Sequence, residues 1–284
     1  MMPIAADHFI ETNHIKLHYI DYAGDGPALV LLHGLTANAH AFDGLVEAGL
    51  APAYRVVCPD LRGRGLSDHP AFCYTLQDHA ADILGLLDHL GIQKAVLGGH
   101  SFGGLLSMYI AANFPDRVER LIIMDAAAQM NPKAGEMLGT TLARLDKKYA
   151  SWDAYLQEIK SAPFNQDAWS DSMLSYYRAD VMDTENGGVT PRSNLANIIE
   201  VAVNVANTPW TVYVEEIQQP AILFNGLDIY TMGEPLLPDF KAQETVELMK
   251  HCKYIPVDGN HHTMLYNDGA RQIVKGIRAF VPAG

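Results

Sequence analysis

A glycine-flanked serine in the stretch 94–104, KAVLGGHSFGG, constrains the fold of this sequence more than any other feature. An apolar run at 95–97 precedes the serine, and an apolar segment at 105–113, stopped by Pro115, follows it. This order predicts a strand, a tight turn and a helix. The centre of the stretch fits the G-x-S-x-G pattern, in which such a turn exposes a strained serine at a sheet edge. Ser101 is therefore the candidate nucleophile.

Short apolar runs and helical patterns alternate along most of the remaining chain. The apolar runs lie at 28–32, 55–58, 121–124, 221–224 and 254–257, and the helical patterns lie at 75–90, 238–250 and 268–281. This alternation predicts a mainly parallel sheet with helices on both faces. At the start of the chain, residues 8–22 alternate in polarity around Asn13 and His14, which predicts an antiparallel pair at a sheet edge.

Residues 129–214 have a different character from the rest of the chain. They contain all three tryptophans, show helical periodicity and include no convincing strand. An α-helical insertion fits this composition best. Its aromatic side chains either line a pocket or form the insertion's own small core, and for most of them the core is the expected place.

A serine nucleophile requires a base and a carboxylate that orients the base. His261 lies in a loop after the last predicted strand, and the register of that loop favours it over its neighbour His262. Asp228 follows the penultimate strand and gives the chain order Ser, Asp, His that such sheets show. Asp125 ends the strand before it and is the alternative acid. The pattern favours Asp228, and both aspartates stay candidates.

The oxyanion that forms during attack on a carbonyl requires two backbone N–H donors. Phe102 directly follows the nucleophile at a helix start, which makes its N–H the first candidate. The loop after the 28–32 strand provides the second, and Leu35 is the best placed residue there because Gly34 allows a close approach. We expect His33 to support this loop through a hydrogen bond.

Charge and composition limit the partners of the protein. The formal net charge of −13 disfavours nucleic acid and anionic membranes and favours a small-molecule substrate. A substrate carboxylate would need its own arginine, for which Arg178 and Arg192 are candidates. The N-terminus lacks a signal-peptide pattern and no stretch is long and apolar enough to span a bilayer, so we expect a cytoplasmic monomer or homodimer. The three cysteines are widely separated, which suggests neither a disulfide framework nor a metal site, and we expect no cofactor.

The motifs HGLTAN, PDLRGRGLSD and GGHSFGG, with the late aspartate and the loop histidine, resemble the α/β-hydrolase superfamily in matching order. The resemblance implies an α/β fold with a mostly parallel eight-stranded sheet flanked by helices and an α-helical cap inserted after strand six. It also implies a core domain at 1–128 and 215–284, a cap at 129–214, and a triad of Ser101, His261 and an acid.

HGLTAN and the segment GGVTPR at 187–192 resemble more closely the branch that contains (acetamidomethylene)succinate hydrolase. In that branch the acid follows strand six, which favours Asp125. This sequence departs from the branch because it also keeps an aspartate after strand seven. It departs from the common superfamily spacing because only Leu227 separates Gly226 from Asp228.

The leading functional hypothesis is a cofactor-free serine hydrolase that acts on a small or medium carboxylic ester, lactone or amide. Carbon–carbon bond cleavage, or cofactor-free oxygenation with the same serine and histidine, is a second reading. A ligand receptor with a vestigial triad is a third. Dehalogenase and epoxide hydrolase readings are disfavoured, because those relatives place an aspartate where this chain has Ser101.

Overall fold

The computed structural model describes residues 5–165 and 168–282. Its strands, in chain order, are β1 (Ala5–Thr12), β2 (Ile15–Tyr22), β3 (Ala28–Leu32), β4 (Arg55–Pro59), β5 (Ala95–His100), β6 (Val118–Met124), β7 (Val181–Asp183), β8 (Val189–Pro191), β9 (Ala221–Gly226) and β10 (Cys252–Val257). Its α-helices are α1 (Asp43–Glu47), α2 (Leu76–His89), α3 (Phe102–Asn113), α4 (Ala134–Met137), α5 (Gly139–Ala143), α6 (Trp152–Ser161), α7 (Asp171–Asp180), α8 (Leu195–Ala206), α9 (Trp210–Glu216), α10 (Asp239–Leu248) and α11 (Asn267–Phe280).

Eight of these strands form one sheet in the order β1-β2-β4-β3-β5-β6-β9-β10. β2 pairs antiparallel with both β1 and β4, and the pairs from β4 to β10 are parallel. Apolar clusters pack on both faces of the sheet, which explains why the central strands read as continuous apolar runs. The predicted α/β-hydrolase fold is confirmed.

Local signals set several element boundaries where the sequence predicts them. Asn13 and His14 both have positive φ values, 44° and 63°, as a tight turn between two antiparallel strands requires. Helix α2 begins at a capping box in which Thr75 accepts from the Asp78 N–H and Asp78 accepts from the Thr75 N–H. These contacts fix the edge pair and the start of α2, which packs against β1 and α3.

The segment between β6 and β9, here called the insert, carries helices α4 to α9 and is not purely helical. β7 and β8 pair antiparallel within it, so the expectation of an insertion without strands is wrong. Each strand is three residues long, too short to show alternating polarity. The turn between them closes through a Thr184 N–H bond to the Gly188 carbonyl and uses Gly187 at φ +78°.

Helix α7 attaches the insert to the core. Ser175 Oγ donates to Asp43 on α1, and Asn38 Nδ2 donates to the Tyr176 carbonyl at 3.1 Å. Asp43 also accepts from Tyr22 Oη at 2.5 Å and pairs with His40 Nδ1 at 2.9 Å. One buried carboxylate therefore holds β2, α1 and α7 together. Among the described residues, no helix is long and apolar enough to cross a membrane.

Candidate active site

Ser101 occupies the turn between β5 and α3 with φ 54° and ψ −120°, a conformation that a residue with a side chain rarely adopts. Its N–H donates to the Met124 carbonyl at 2.9 Å, which ties the turn to the end of β6. Ser101 is half-buried and opens onto a cavity. The predicted strand, turn and helix are present in the predicted order.

The two flanking glycines are required by close backbone contacts. A Cβ at Gly99 would lie 2.3 Å from the Gly103 backbone, and one at Gly103 would lie 1.9 Å from the Leu32 carbonyl oxygen. Both distances are far inside van der Waals contact, so the turn closes only with glycine at these positions.

His261 contacts Asp125, the alternative acid. The His261 Nδ1 to Asp125 Oδ2 distance is 2.6 Å, and both side chains are buried. The other carboxylate oxygen of Asp125 accepts from Asn225 Nδ2 and from the Gly226 N–H, each at 2.9 Å. Asn225 is itself fixed, because its Nδ2 also donates to the Leu237 carbonyl. These bonds leave Asp125 Oδ2 aimed at the imidazole.

Asp228, the acid that the sequence pattern favours, lies elsewhere. It is exposed, and its Oδ2 accepts from the Gly259 N–H at 3.1 Å while its own N–H donates to the Gly259 carbonyl. These bonds clip the loop after β9 to the loop after β10. The structure thus brings Asp125, and not Asp228, to His261. The short Gly226 to Asp228 spacing leaves Asp228 beside Gly259.

His100, which precedes the nucleophile, holds the backbone of His261. Burial, together with the nearby charge of His261, puts the pKa of His100 well below its usual value, so the ring is neutral. Its Nε2 lies 2.6 Å from the His261 carbonyl and donates to it, and the two ring centroids are 4.5 Å apart. His100 occupies the variable position of the G-x-S-x-G motif, and that position is the only sequence signal for its role.

The loop after β3 lies directly beside the nucleophile. A Cβ built on Gly34 would lie 3.5 Å from Ser101 Cβ. The Leu61 N–H donates to His33 Nε2 at 2.9 Å, which leaves His33 Nδ1 to donate to the Gly34 carbonyl at 2.8 Å. Burial lowers the pKa of His33 to about 4, so it serves this loop as a neutral ring. The predicted supporting role of His33 is confirmed.

This arrangement determines where the Leu35 N–H points. In a trans peptide the C=O and the next N–H point in opposite directions. The Gly34 carbonyl is held on the protein side by His33 and by the Ala37 N–H at 3.2 Å. The Leu35 N–H therefore points away from His33, and Leu35 lines the cavity together with Ser101. Phe102 begins α3 directly after Ser101, as predicted.

Ser101 and His261 open onto one cavity of about 400 Å³ that lies between the sheet edge and the insert. Its aromatic lining is phenylalanine and tyrosine: Phe164, Tyr176, Tyr177, Tyr230 and Tyr266. The tryptophans are not part of it. Trp152 and Trp169 pack against the core, and Trp210 is buried in α9. Lys147 and Glu158, a half-exposed pair joined at 2.8 Å, also line the cavity.

The arginine in the cavity is Arg144, which the sequence analysis did not single out. It is buried and ion-paired with Asp180, which also accepts from Tyr155 Oη at 2.6 Å. Of the two arginines proposed from the sequence, Arg178 pairs with Asp183 on the surface, and neither it nor Arg192 lines the cavity. Nothing in the local pattern distinguishes Arg144, since its partner lies on another helix.

His262, the rival of His261, belongs to the cavity wall. Asn165 Nδ2 donates to Tyr177 Oη at 2.9 Å, and Tyr177 Oη lies 3.0 Å from His262 Nε2. Tyr177 Oη thus joins Asn165 to His262 through two hydrogen bonds. Burial, with the charges of His261 and Arg144, lowers the pKa of His262 to about 3. The two adjacent histidines thus have separate partners.

Among the described residues, no group of three or more His, Cys, Asp or Glu side chains is placed to hold a metal ion. A strained serine and a histidine fixed at both its ring and its carbonyl line one cavity at the edge of a mostly parallel sheet, and a buried aspartate contacts the histidine. This combination of fold and site is typical of hydrolytic enzymes that attack with serine.

The chain belongs to the α/β-hydrolase family, since residues 27–268 match the family described as alpha/beta hydrolase fold. It is similar over its full length to 2-(acetamidomethylene)succinate hydrolase of Mesorhizobium japonicum, at 35% identity covering 99% of this chain and 98% of that protein. The predicted resemblance to that branch is confirmed.

Two further comparisons place the chain. A crystal structure of E-2-(acetamidomethylene)succinate hydrolase superimposes with a TM-score of 0.84 at 22% identity, covering 98% of this chain and 99% of that one. The cis-3-alkyl-4-alkyloxetan-2-one decarboxylase of Shewanella oneidensis is 32% identical over 184 residues, which is 56% of this chain and 57% of that protein. The chain is thus an enzyme of a family whose members include hydrolases, and the bond it cleaves is a separate question.

Proposed function

We propose that this protein hydrolyses a small or medium carboxylic ester, lactone or amide through an acyl-enzyme, with Ser101, His261 and Asp125 as its triad. The observation that carries the proposal is the 2.6 Å contact between His261 Nδ1 and a buried Asp125 beside the strained turn of Ser101. A buried aspartate that is held by two further donors orients the imidazole and stabilises it once it is protonated.

In the acylation step, Ser101 Oγ attacks the carbonyl carbon and its proton passes to His261 Nε2, because Asp125 occupies the other ring nitrogen. The carbonyl oxygen becomes negative and accepts hydrogen bonds from the N–H groups of Leu35 and Phe102. Protonated His261 then donates its proton to the leaving oxygen or nitrogen. The carbon–heteroatom bond breaks, and the acyl group stays on Ser101.

In the deacylation step, water takes the place of the leaving group. His261 accepts a proton from this water, and the oxygen attacks the acyl carbon. A second oxyanion forms at the same amides. His261 then returns the proton to Ser101 Oγ as the acid leaves. The neutral His100, which bonds to the His261 carbonyl, keeps the base in place through both steps.

The charges around the cavity favour an uncharged acyl group. Asp180 neutralises Arg144, Glu158 neutralises Lys147, and His262 stays uncharged because its pKa is about 3. The succinate hydrolase relative supports a hydrolytic reaction, but these paired charges argue against a dianionic substrate here. We propose that the insert serves as the cap that encloses this cavity.

The test is a panel of neutral p-nitrophenyl esters, lactones and anilides, with Ser101→Ala as the control. We expect steady-state hydrolysis of at least one class, a burst of nitrophenol from the acyl-enzyme, and loss of both in Ser101→Ala. A serine-directed phosphonate should label Ser101, as mass spectrometry of the tryptic peptide would show. The absence of both turnover and labelling would contradict the proposal and favour ligand reception. Labelling of Ser101 without turnover of the panel would favour carbon–carbon cleavage by the same serine.

A further inference from the structure

We propose that Arg64, a buried guanidinium outside the cavity, positions the oxyanion site and supplies the positive charge behind it. The inference rests on the proposed function, since it concerns the two amides assigned to the oxyanion. Arg64 belongs to the loop after β4, RGRGLSD, whose arginines the sequence analysis left without a role. It touches neither Ser101 nor His261 among its hydrogen-bond partners and would act through the residues it holds.

Arg64 contacts both residues that provide the oxyanion amides. Its Nε donates to the Leu35 carbonyl at 3.0 Å, and its Cζ lies 5.7 Å from the centroid of the Phe102 ring. Its Nη1 donates to the Arg62 carbonyl at 2.6 Å and contacts His79 Nε2 at 3.1 Å. Arg64 is fully buried and does not line the cavity, so its guanidinium contacts these two residues from within the protein.

The contact with Leu35 completes a clamp on the oxyanion loop. His33 holds the Gly34 carbonyl, and Arg64 holds the Leu35 carbonyl, so both peptides that flank Leu35 are fixed from the protein side. With both carbonyls taken, the Leu35 N–H keeps one direction before the substrate arrives. Donors that are fixed in advance stabilise a developing charge without reorganisation at the moment of reaction.

Comparison with its neighbour Arg62 shows what is unusual about Arg64. Arg62 is buried and ion-paired with Asp82 at 2.6 Å. Arg64 is fully buried and, within residues 5–165 and 168–282, forms no ion pair, and its Nη2 lies buried without a hydrogen-bond partner. Two arginines in one loop thus differ in that only the first has its charge compensated by a carboxylate.

The charge of Arg64 persists under ordinary conditions. Burial lowers the pKa of Arg64 to about 9; Tyr74 raises it and the charge of Arg62 lowers it further. The guanidinium is therefore protonated at neutral pH. The ring of His79 is neutral, since burial and the charge of Arg64 put its pKa well below the usual value. A buried cation without a counter-ion is unfavourable in the resting protein. A negative oxygen in the transition state would offset part of that cost.

The experiment separates the charge from the clamp by placing a carboxylate beside Arg64. His79→Glu adds a counter-charge where the imidazole contacts Nη1, and His79→Gln is the matched neutral control. Arg64→Met and Arg64→Lys form a second pair, without and with the charge. The readout is the second-order rate constant for labelling of Ser101 by a p-nitrophenyl phosphonate, which requires no knowledge of the substrate. Thermal unfolding is measured for each variant.

We expect His79→Glu to label about tenfold more slowly than His79→Gln, and Arg64→Met to label about 10- to 100-fold more slowly than the wild type, with Arg64→Lys in between. These decreases are smaller than the loss in rate of about 100- to 1,000-fold that follows removal of an oxyanion donor itself. Equal rates for His79→Glu and His79→Gln would overturn the role of the charge, even if Arg64→Met does not fold. A wild type that is not labelled contradicts the proposed function itself, whereas a labelled wild type with equal variant rates contradicts only this inference.

Discussion

The two walls of the cavity are built in different ways. On the sheet side, each reactive group lies at or just after a strand end and is fixed by backbone bonds: Ser101 by Met124, and Asp125 by Gly226. On the insert side, the polar groups come from short helices and pair with one another, as Arg144 does with Asp180. Under the proposed function, the first wall would carry out the reaction and the second would determine which molecules reach it.

This difference explains which residues could be recognised in advance. A residue at a strand end has a position that the strand pattern itself predicts, because the carboxyl ends of parallel strands meet at one edge. A residue in the insert has a position that depends on a partner far away in the sequence. We therefore expect substitutions on the sheet side to lower the reaction rate. We expect substitutions on the insert side to change stability and substrate selectivity.

The largest expected effect is on the sheet side, in the pair Asp125→Asn and Asp228→Asn. Asp125→Asn keeps the shape but disturbs the imidazole tautomer, so we expect kcat to fall by about 10⁴-fold. Asp228→Asn should change kcat by less than about threefold, because an exposed loop contact contributes little. Steady-state kinetics on the best substrate of the panel measures both.

Each of these two variants is the matched control of the other, since the chemical change is the same. Unfolding curves are needed to show that Asp125→Asn remains folded. If Asp228→Asn lost more activity than Asp125→Asn, the triad would not be the one assigned here, and the contact between His261 and Asp125 would have only a structural meaning.

On the insert side, Asp180→Asn should act mainly on stability. It leaves Arg144 buried without its counter-ion, and breaking a buried pair from one side typically lowers the free energy of unfolding by about 3–5 kcal/mol. The double variant Arg144→Met with Asp180→Asn should recover part of this loss. Urea unfolding at pH 7.5 measures both variants.

The same substitution tests the selectivity of the cavity. With Asp180 gone, the charge of Arg144 is available to a ligand, so kcat/KM for a substrate with an acidic acyl group should rise relative to its neutral analogue. If the ratio stays constant while stability falls, Arg144 is a structural residue and does not face the substrate.

The sequence patterns predicted the sheet-side wall well because each of its motifs carries a local steric requirement. A Cβ at Gly99 or at Gly103 would overlap neighbouring backbone atoms, so the turn requires glycine at both positions. The pattern of two glycines therefore marks the turn that carries the serine. The capping box of α2 and the turn at Asn13 are likewise local. The short β7–β8 hairpin could not be predicted, because strands of three residues do not show alternating polarity.

The choice of acid could not be made from local patterns. Asp125 and Asp228 both follow strands at the same edge, and the general chain order favours Asp228, which does not contact His261. The distinction depends on Asn225 and the Gly226 N–H, which accommodate the carboxylate of a neighbouring strand, and on Gly259, which binds Asp228. These contacts join segments that are distant in the sequence. Among the sequence arguments, only the resemblance to the closer branch favoured Asp125.

The smallest expected effect concerns pH and comes from two buried histidines in the loops after β3 and β10. His33 and His262 have folded pKa values of about 4 and about 3, below the about 6.5 of an unfolded chain. Between those values the unfolded chain binds more protons, so the free energy of unfolding decreases as the pH falls below 6.5. His18 and His40 oppose this trend, because carboxylate partners raise the pKa of each despite burial.

The variant His262→Asn isolates one contribution to this trend. Between pH 5.5 and 4.5 it should lose stability more slowly than the wild type, by about 1.4 kcal/mol per pH unit, which corresponds to one proton. Urea unfolding at several pH values gives the two slopes. Parallel slopes would mean that His262 takes up its proton in the folded protein, contrary to its burial beside His261 and Arg144.

The carboxylate of Asp43 has a consequence for how molecules enter and leave the site. It joins α7 to α1 and β2 inside the protein, so lifting α7 would expose a carboxylate that three side chains now satisfy. Lys147 and Glu158 line the same cavity and are half-exposed, so moving this pair would expose no buried carboxylate. We therefore expect substrate and product to pass beside Lys147 and Glu158 while α7 stays in place. The width of this passage, and not the movement of α7, would then limit the size of the substrate.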